Sequence, residues 1–186
     1  MKRWLLLFSL IWLQFPALAT TVRFETNLGH FDLTLDTDKA PKTCENFLRY
    51  VKDGSYQGSI FHRVIQNFVI QGGGFLANGE RLPNYPSVVN ESNNGLSNVT
   101  GTIAMARTSD PDSATRQFYI NVHDNPFLDG SSQKPGYTVF GKVTQGMDTI
   151  EKIATQPTGN DNNLGMPDVP QTQIVIQKVM LVADPQ

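Results

Sequence analysis

Short apolar runs of strand period, each cut off within a few residues by turn formers, recur along nearly the whole chain, while helical spacing occurs in two places. This alternation constrains the fold most, because side chains switch faces at every residue of a strand and return to one face about every 3.6 residues of a helix. Val22 and Phe24 alternate with polar neighbours before Gly29, and Phe31, Leu33 and Leu35 alternate with Asp32 and Thr34 after it, a β-hairpin pattern. Further strands are predicted over Ile60 to Ile65, Phe68 to Gln71, Thr100 to Ala106, Gln117 to Val122 and Tyr137 to Val143. Thr172 to Val182 is a final, nearly all-apolar strand, expected to be buried on both sides or to close a sheet. The helices are predicted from Pro41, with Cys44, Phe47, Leu48 and Val51 on one stripe, and over Gly146 to Ala154, with Met147, Ile150 and Ile153. Gly72 to Asn98 and Thr155 to Pro170 are polar and read as surface loops. No internal repeat or linker divides the chain. Many antiparallel strands with two helices predict an all-β fold: a closed barrel, which leaves no exposed strand edge, with the helices over its ends.

The first residues stand apart. Lys2 and Arg3 precede the apolar run Trp4 to Leu13, interrupted only by Ser9, and Ala17-Leu18-Ala19 follows a helix-breaking Pro16. This is the pattern of a secretory signal peptide cut after Ala19, leaving residues 20–186 as a single domain. A membrane span needs about 20 apolar residues, and this run is roughly half that. The expected product is exported and soluble, periplasmic in a bacterium. Cys44 is the only cysteine, so no internal disulfide can form, and its place on the helix stripe predicts a buried, unreactive thiol. Asn90-Glu91-Ser92 and Asn98-Val99-Thr100 match the glycosylation sequon, which matters only in a eukaryotic secretory pathway. The net charge of −2, without a basic stripe, argues against a nucleic-acid partner.

The chemistry concentrates in Phe61-His62-Arg63-Val64-Ile65-Gln66-Asn67-Phe68-Val69-Ile70-Gln71-Gly72-Gly73-Gly74-Phe75. A permanent cation, Arg63, sits in an apolar run, where an arginine is either paired or used; its neighbours leave both readings open. The histidines at 30, 62 and 123 have no companions at metal-ligand spacing. The glycine triplet lacks the Lys-Ser/Thr of a phosphate loop and instead implies a tight turn or close backbone approach. There is no Gly-x-Ser-x-Gly elbow, and Asp110-Pro111-Asp112 is not a calcium loop. Hydrolytic and metal chemistry are unsupported. What remains is Arg63, Phe68, Val69, Gln71, Ala106, Gln117, Tyr119, Phe127, Leu128 and Tyr137, a set that suits a groove for an apolar ligand whose carbonyls need donors, although by periodicity alone most of its aromatics read as core residues.

The Phe61 to Phe75 segment closely resembles the signature of cyclophilin-type peptidyl-prolyl isomerases. The likeness continues through Ala40-Pro41-Lys42-Thr43, Asn46-Phe47, Gly101-Thr102-Ile103-Ala104-Met105-Ala106, Gln117-Phe118-Tyr119-Ile120, Phe127-Leu128-Asp129 and Val139-Phe140-Gly141-Lys142-Val143, spanning about residues 21 to 182. The wording is most similar to that of short bacterial periplasmic cyclophilins. The resemblance implies an eight-stranded antiparallel barrel capped by two helices, with a groove on its outer face for an X-Pro segment. Arg63 would be the catalytic arginine and Gln71 the residue holding the substrate backbone. Phe68, Val69, Tyr119 and Leu128 would line the proline pocket, with Ala106, Arg107, Gln117, Phe127 and Tyr137 completing the groove. His62 is expected to be structural and to face the core. The implied partners are proline-containing polypeptides; no cofactor or metal is implied, and a monomer is expected. Several positions differ from the family pattern. Arg107 stands where many members have Asn, Arg116 where relatives have Ser, Val69 where a Met-like residue is usual, and Tyr137 where His is frequent. Tyr119 replaces Phe and adds a hydroxyl that needs a partner. Phe127 replaces Trp, so weak cyclosporin binding is expected. A non-catalytic proline-peptide binding module or chaperone on the same fold is the alternative.

Overall fold

Val22, Phe24 and Thr26 are the buried residues of β1 (Thr21–Thr26), and Phe31, Leu33 and Leu35 are their counterparts in β2 (Gly29–Leu35). Phe24 pairs with Phe31 across the hairpin, and their rings stack with centroids 4.9 Å apart. The computed structural model describes residues 20–182; the segment read as a signal peptide, residues 1–19, lies outside them. After the hairpin come α1 (Pro41–Lys52), β3 (Ser59–Ile65), β4 (Val69–Leu76), β5 (Thr102–Met105), β6 (Phe118–Asn121), a 3-10 turn (Pro126–Leu128) and β7 (Val139–Gln145). They are followed by α2 (Met147–Ala154), β8 (Thr158–Asp161), β9 (Met166–Pro170) and β10 (Ile176–Val182).

Both helices form where the apolar spacing places them. In α1, Cys44, Phe47 and Val51 are buried while Leu48 is half-buried at the margin. Burial also raises the Cys44 thiol to about 12, which removes its nucleophilic character at neutral pH. Ala40 precedes α1 and offers no side-chain cap. The carboxylate of Glu91 takes that role from a distant loop, accepting from the Lys42 and Thr43 amides and the Thr43 hydroxyl at 3.2, 2.9 and 2.7 Å. No described helix is long and apolar enough to cross a membrane.

The eight main strands follow the order β10-β1-β2-β7-β5-β6-β4-β3, all pairs antiparallel. The expected continuous closure is absent: β10 and β3 form no ladder. They meet through an isolated bridge between Ile60 and Val175 and through the Gly58 and Phe61 amides, which donate to the Ile176 and Ile174 carbonyls at 2.8 and 2.9 Å. The β3–β4 pair is bulged on both sides of Phe61, and bulges add twist, which carries β3 away from a regular register with the far edge. Nor is β10 buried on both faces: Ile176 and Val179 turn inward while Gln177, Lys178 and Leu181 are exposed.

Two expected loops contain strands. Thr158–Asp161 and Met166–Pro170 pair as the β8–β9 hairpin, whose Asn, Gly and Pro content hid it from pattern reading. The glycine triplet lies inside β4 rather than in a turn. Close approach is its purpose: a Cβ on Gly73, which has φ +84°, would stand 2.9 Å from ring carbons of Tyr56 and Phe118, and one on Gly74 would meet Gln117 at 2.6 Å. The main core packs Phe24, Phe31, Phe47, Tyr56, Phe61, Phe118 and Phe140 between the sheet's inner face and the helices.

Candidate active site

Strand register puts the predicted residues in one line. Arg63 on β3 is paired with Gln71 on β4, Gln71 with Tyr119 on β6, Tyr119 with Ala104 on β5, and Ala104 with Val139 on β7. Because faces alternate, Ile70, Phe118 and Ile120 enter the main core while Val69 and Tyr119 turn to the opposite face. There a second buried cluster of Val69, Ala104, Tyr119 and Val139 forms, with Phe68, Leu96, Ala106, Leu128 and Tyr137 packed against it. Phe68, Val69, Tyr119 and Leu128, expected together from the sequence, therefore share one apolar cluster. Ala104, Val139 and Leu96 were not foreseen; the register that joins them to Tyr119 is a property of paired strands, not of any one segment.

Arg63 stands at the edge of this cluster with 35% of its side chain accessible, and its Nε lies 3.8 Å from Asp168 Oδ2. Gln71 donates through Nε2 to Gln117 Oε1 at 3.0 Å, so the two glutamines form a polar ledge beside the pocket. His62 is buried, as expected, but strict alternation is not the cause. Between Phe61 and Arg63 the register advances two residues on β3 against one on β4, making His62 the extra residue of a bulge. Its ring packs on the edge of Phe75 at 4.8 Å, and Nδ1 has no hydrogen-bond partner. Burial, foremost, lowers its pKa to about 4, so it is neutral at ordinary pH.

The floor of the pocket is fastened from behind. The Tyr119 hydroxyl donates to Asn98 Oδ1 at 2.7 Å, which answers the need created by Tyr at this position. Burial holds its pKa well above the usual phenol range. Asn98 in turn donates through its amide and Nδ2 to Asp129 Oδ1, both at 2.7 Å, and Ser97 Oγ donates to the same carboxylate. Asn121 Nδ2 adds a bond to Asn98 and one to Thr102 Oγ1, and Asn125 Nδ2 reaches the Phe68 carbonyl at 3.1 Å. This network ties Tyr119 to both ends of the segment that carries Phe127 and Leu128. Sequence reading missed it, since single Asn and Asp residues at strand ends and in loops carry no periodic signal. Asn98 is fully buried, so its sequon is inaccessible in the folded chain.

At the rim Phe127 is 72% exposed and stacks on Phe68 at 5.8 Å with an 18° tilt. Tyr137 meets Tyr119 edge-on at 5.8 Å. The Arg107 guanidinium lies 4.5 Å over the Tyr137 ring and donates to the Thr108, Pro135 and Gly136 carbonyls. Its charge is spent on the loop behind the groove, while the Ala106 amide bonds the Gln117 carbonyl at 2.9 Å. Arg116 is buried outright. It donates to the Gly73, Pro83 and Ser55 carbonyls at 2.6–2.7 Å and lies over the Tyr50 and Tyr56 rings, locking the glycine strand in place. Both arginines and the Tyr119 hydroxyl are thus hydrogen-bonded within the protein itself.

Two depressions flank Ala106 and Arg107, one of about 250 Å³ beside Gln71 and Gln117 and one of about 650 Å³ beside Phe127, Leu128 and Tyr137. A separate cavity of about 400 Å³ under Leu35, Leu96 and Val139 contains neither arginine nor glutamine.

A buried apolar cluster on the sheet's outer face, with the Arg63 guanidinium and the Gln71 and Gln117 amides beside it, is the feature that the comparisons with known proteins bear on. Residues 21–181 match the family described as cyclophilin type peptidyl-prolyl cis-trans isomerase. The chain is 51% identical over 167 residues to a peptidyl-prolyl cis-trans isomerase of Acinetobacter baylyi, covering 89% of this chain and 87% of that one. It is 48% identical over 172 residues to peptidyl-prolyl cis-trans isomerase A of Dickeya dadantii, covering 90% and 89%. A crystal structure of a cyclophilin type isomerase of Cryptosporidium parvum, obtained in the presence of the dipeptide Ala-Pro, superimposes with a TM-score of 0.73 at 29% identity, covering 88% of this chain and 99% of that one. The chain belongs to the cyclophilin-type peptidyl-prolyl cis-trans isomerases. It is an isomerase, and its reaction is rotation about the peptide bond that precedes proline.

Proposed function

We propose that Arg63 carries the rotation by donating a hydrogen bond to the proline nitrogen of the twisted transition state. Rotation of the X-Pro amide must cross about 18–20 kcal/mol because it destroys amide resonance. At the top of the barrier the C–N bond is nearly single and the nitrogen regains a lone pair that the planar ground state lacks. A donor aimed at that lone pair stabilises the transition state and leaves the ground state unaffected. Arg63 fits the task because its guanidinium is permanently charged and many-donored, and because it borders a buried apolar cluster where a hydrogen bond is stronger than in water. Val69, Tyr119, Phe68 and Leu128 would hold the proline ring while the preceding carbonyl swings, and the Gln71–Gln117 ledge would keep the flanking backbone in register. No covalent step or cofactor enters.

The observation that carries this reading is the register line from Arg63 through Gln71 to Tyr119, which sets a cation and an amide against the apolar pocket. The substrates proposed are flexible proline-containing polypeptides. With residues 1–19 read as an export signal, they would be exported chains that are still folding, in the periplasm of a bacterium. Phe127, lacking an indole N–H, supports weak cyclosporin binding, and the enzyme is proposed to act as a monomer. A protease-coupled assay on an X-Pro peptide tests the catalytic assignment. Wild type should accelerate isomerisation and Arg63→Ala should lose most of that rate; equal rates for the two proteins would overturn it.

A further inference from the structure

Asp168 lies in β9, within the hairpin packed beside β3. It is one of two non-glycine residues with positive φ among those described, at +61°. The other, Asn67, sits in the tight β3–β4 turn, where the Phe68 amide bonds the Ile65 carbonyl and an Asn in the left-handed region is commonplace. Asp168 is not in a turn. The hairpin register advances three residues from Met166 to Val169 against two from Gly159 to Asp161, so Asp168 belongs to a bulge in the middle of a strand. Its neighbours Val169 and Pro170 are buried and anchor that strand. Asp tolerates the left-handed region as Asn does, and a bulge can carry one residue there. From this bulge the Asp168 carboxylate faces Arg63, its Oδ2 lying 3.8 Å from Nε.

We propose that Asp168 is a positioning residue for Arg63, holding the guanidinium over the proline pocket by an ion pair at Nε. This deepens the reading of Arg63 given above and rests on it. Nε is the nitrogen nearest the main chain. Engaging it restrains the long side chain and leaves the two terminal nitrogens free to address the substrate. Asp168 is the one acidic partner of Arg63 among the described residues. Both side chains are more than a third accessible, at 35% and 38%, so the pair is screened by solvent and its effect is a modest bias in geometry.

The test compares kcat and KM on an X-Pro peptide for wild type, Asp168→Asn, Arg63→Ala and the double variant. Asn tolerates the same backbone conformation, so the hairpin is retained; Asp168→Gly, free of any positive-φ cost, serves as a second charge-removing variant. Asp168→Asn should lower kcat about two- to fivefold, the range of a screened ion pair, with KM and the urea midpoint unchanged. Raising salt should narrow the gap between wild type and variant, and in the Arg63→Ala background the substitution should do nothing. Wild-type kcat in both Asp168 variants, or an equal fractional loss with and without Arg63, overturns the proposal. If Arg63→Ala itself keeps wild-type kcat, the catalytic reading of Arg63 fails instead, which separates the two claims.

Discussion

Tyr119 shows how a single hydroxyl is absorbed into an apolar cluster. The ring does the apolar work at the floor, while the hydroxyl donates to Asn98, whose carbonyl oxygen also accepts from Asn121. Tyr119→Phe removes the donor yet leaves Asn98 with a partner, so the pocket should survive. Loss of one buried hydrogen bond predicts about 1 kcal/mol of destabilisation with isomerase activity retained, read from urea unfolding and the coupled assay. A collapse of activity with unchanged stability would instead assign the hydroxyl to the chemistry. Arg63, Phe68, Val69 and Gln71 were legible in the sequence because they share one short segment of unusual composition. The network behind them, Asn98, Asn121, Asn125 and Asp129, was not, because Asn98 precedes β5, Asn121 ends β6 and Asn125 and Asp129 flank the following turn, so they meet only when β5 and β6 pair. Arg116 was noticed as a departure, but its burial under Tyr50 and Tyr56 against three carbonyls depends on where the glycine strand bends.

Element boundaries followed local chemistry where that chemistry was strong. Pro41 opens α1 and Asp53-Gly54 ends it, as their backbone preferences require. The cap of α1 is non-local: Glu91 supplies both acceptor and negative charge to the end of a helix whose first turn holds no acid. Replacing Glu91 with Ala should cost about 1–2 kcal/mol, the worth of a side-chain cap combined with a charge at the positive end of the helix. Thermal unfolding measures it, and an unchanged midpoint would show that water replaces the carboxylate without loss. The β8–β9 hairpin was invisible for the opposite reason. Thr-Gly-Asn-Asp and Met-Pro-Asp-Val-Pro have poor strand propensity, and pairing plus the burial of Val169 and Pro170 override it. The barrel expectation erred only in closure, which depends on bulges that leave no mark in an apolar pattern.

At the scale of the molecule the sheet has two buried faces, a large aromatic core inside and a small apolar cluster outside, where the site is proposed. His62 sits where these layers are joined, buried and neutral beside Arg63. Its folded pKa of about 4 lies below the ordinary value of 6.5, so between those pH values the unfolded chain binds a proton that the native state refuses. Stability therefore declines as pH falls from about 6.5, and His62 accounts for about 3 kcal/mol once pH is below 4. His62→Gln should flatten the pH dependence of the urea midpoint between about pH 7 and pH 4 relative to wild type, while the carboxylates contribute equally to both. Parallel curves would remove His62 from the acid sensitivity of the fold. The central claim, that Arg63 acts on the transition state and not merely on binding, is tested most directly by exchange NMR on an X-Pro peptide bound to wild type and to Arg63→Ala. The predicted result is similar affinity with cis–trans exchange on the protein slowed about a hundredfold or more by the substitution, the usual scale for removing a transition-state donor. Equal exchange rates in the two proteins would contradict it.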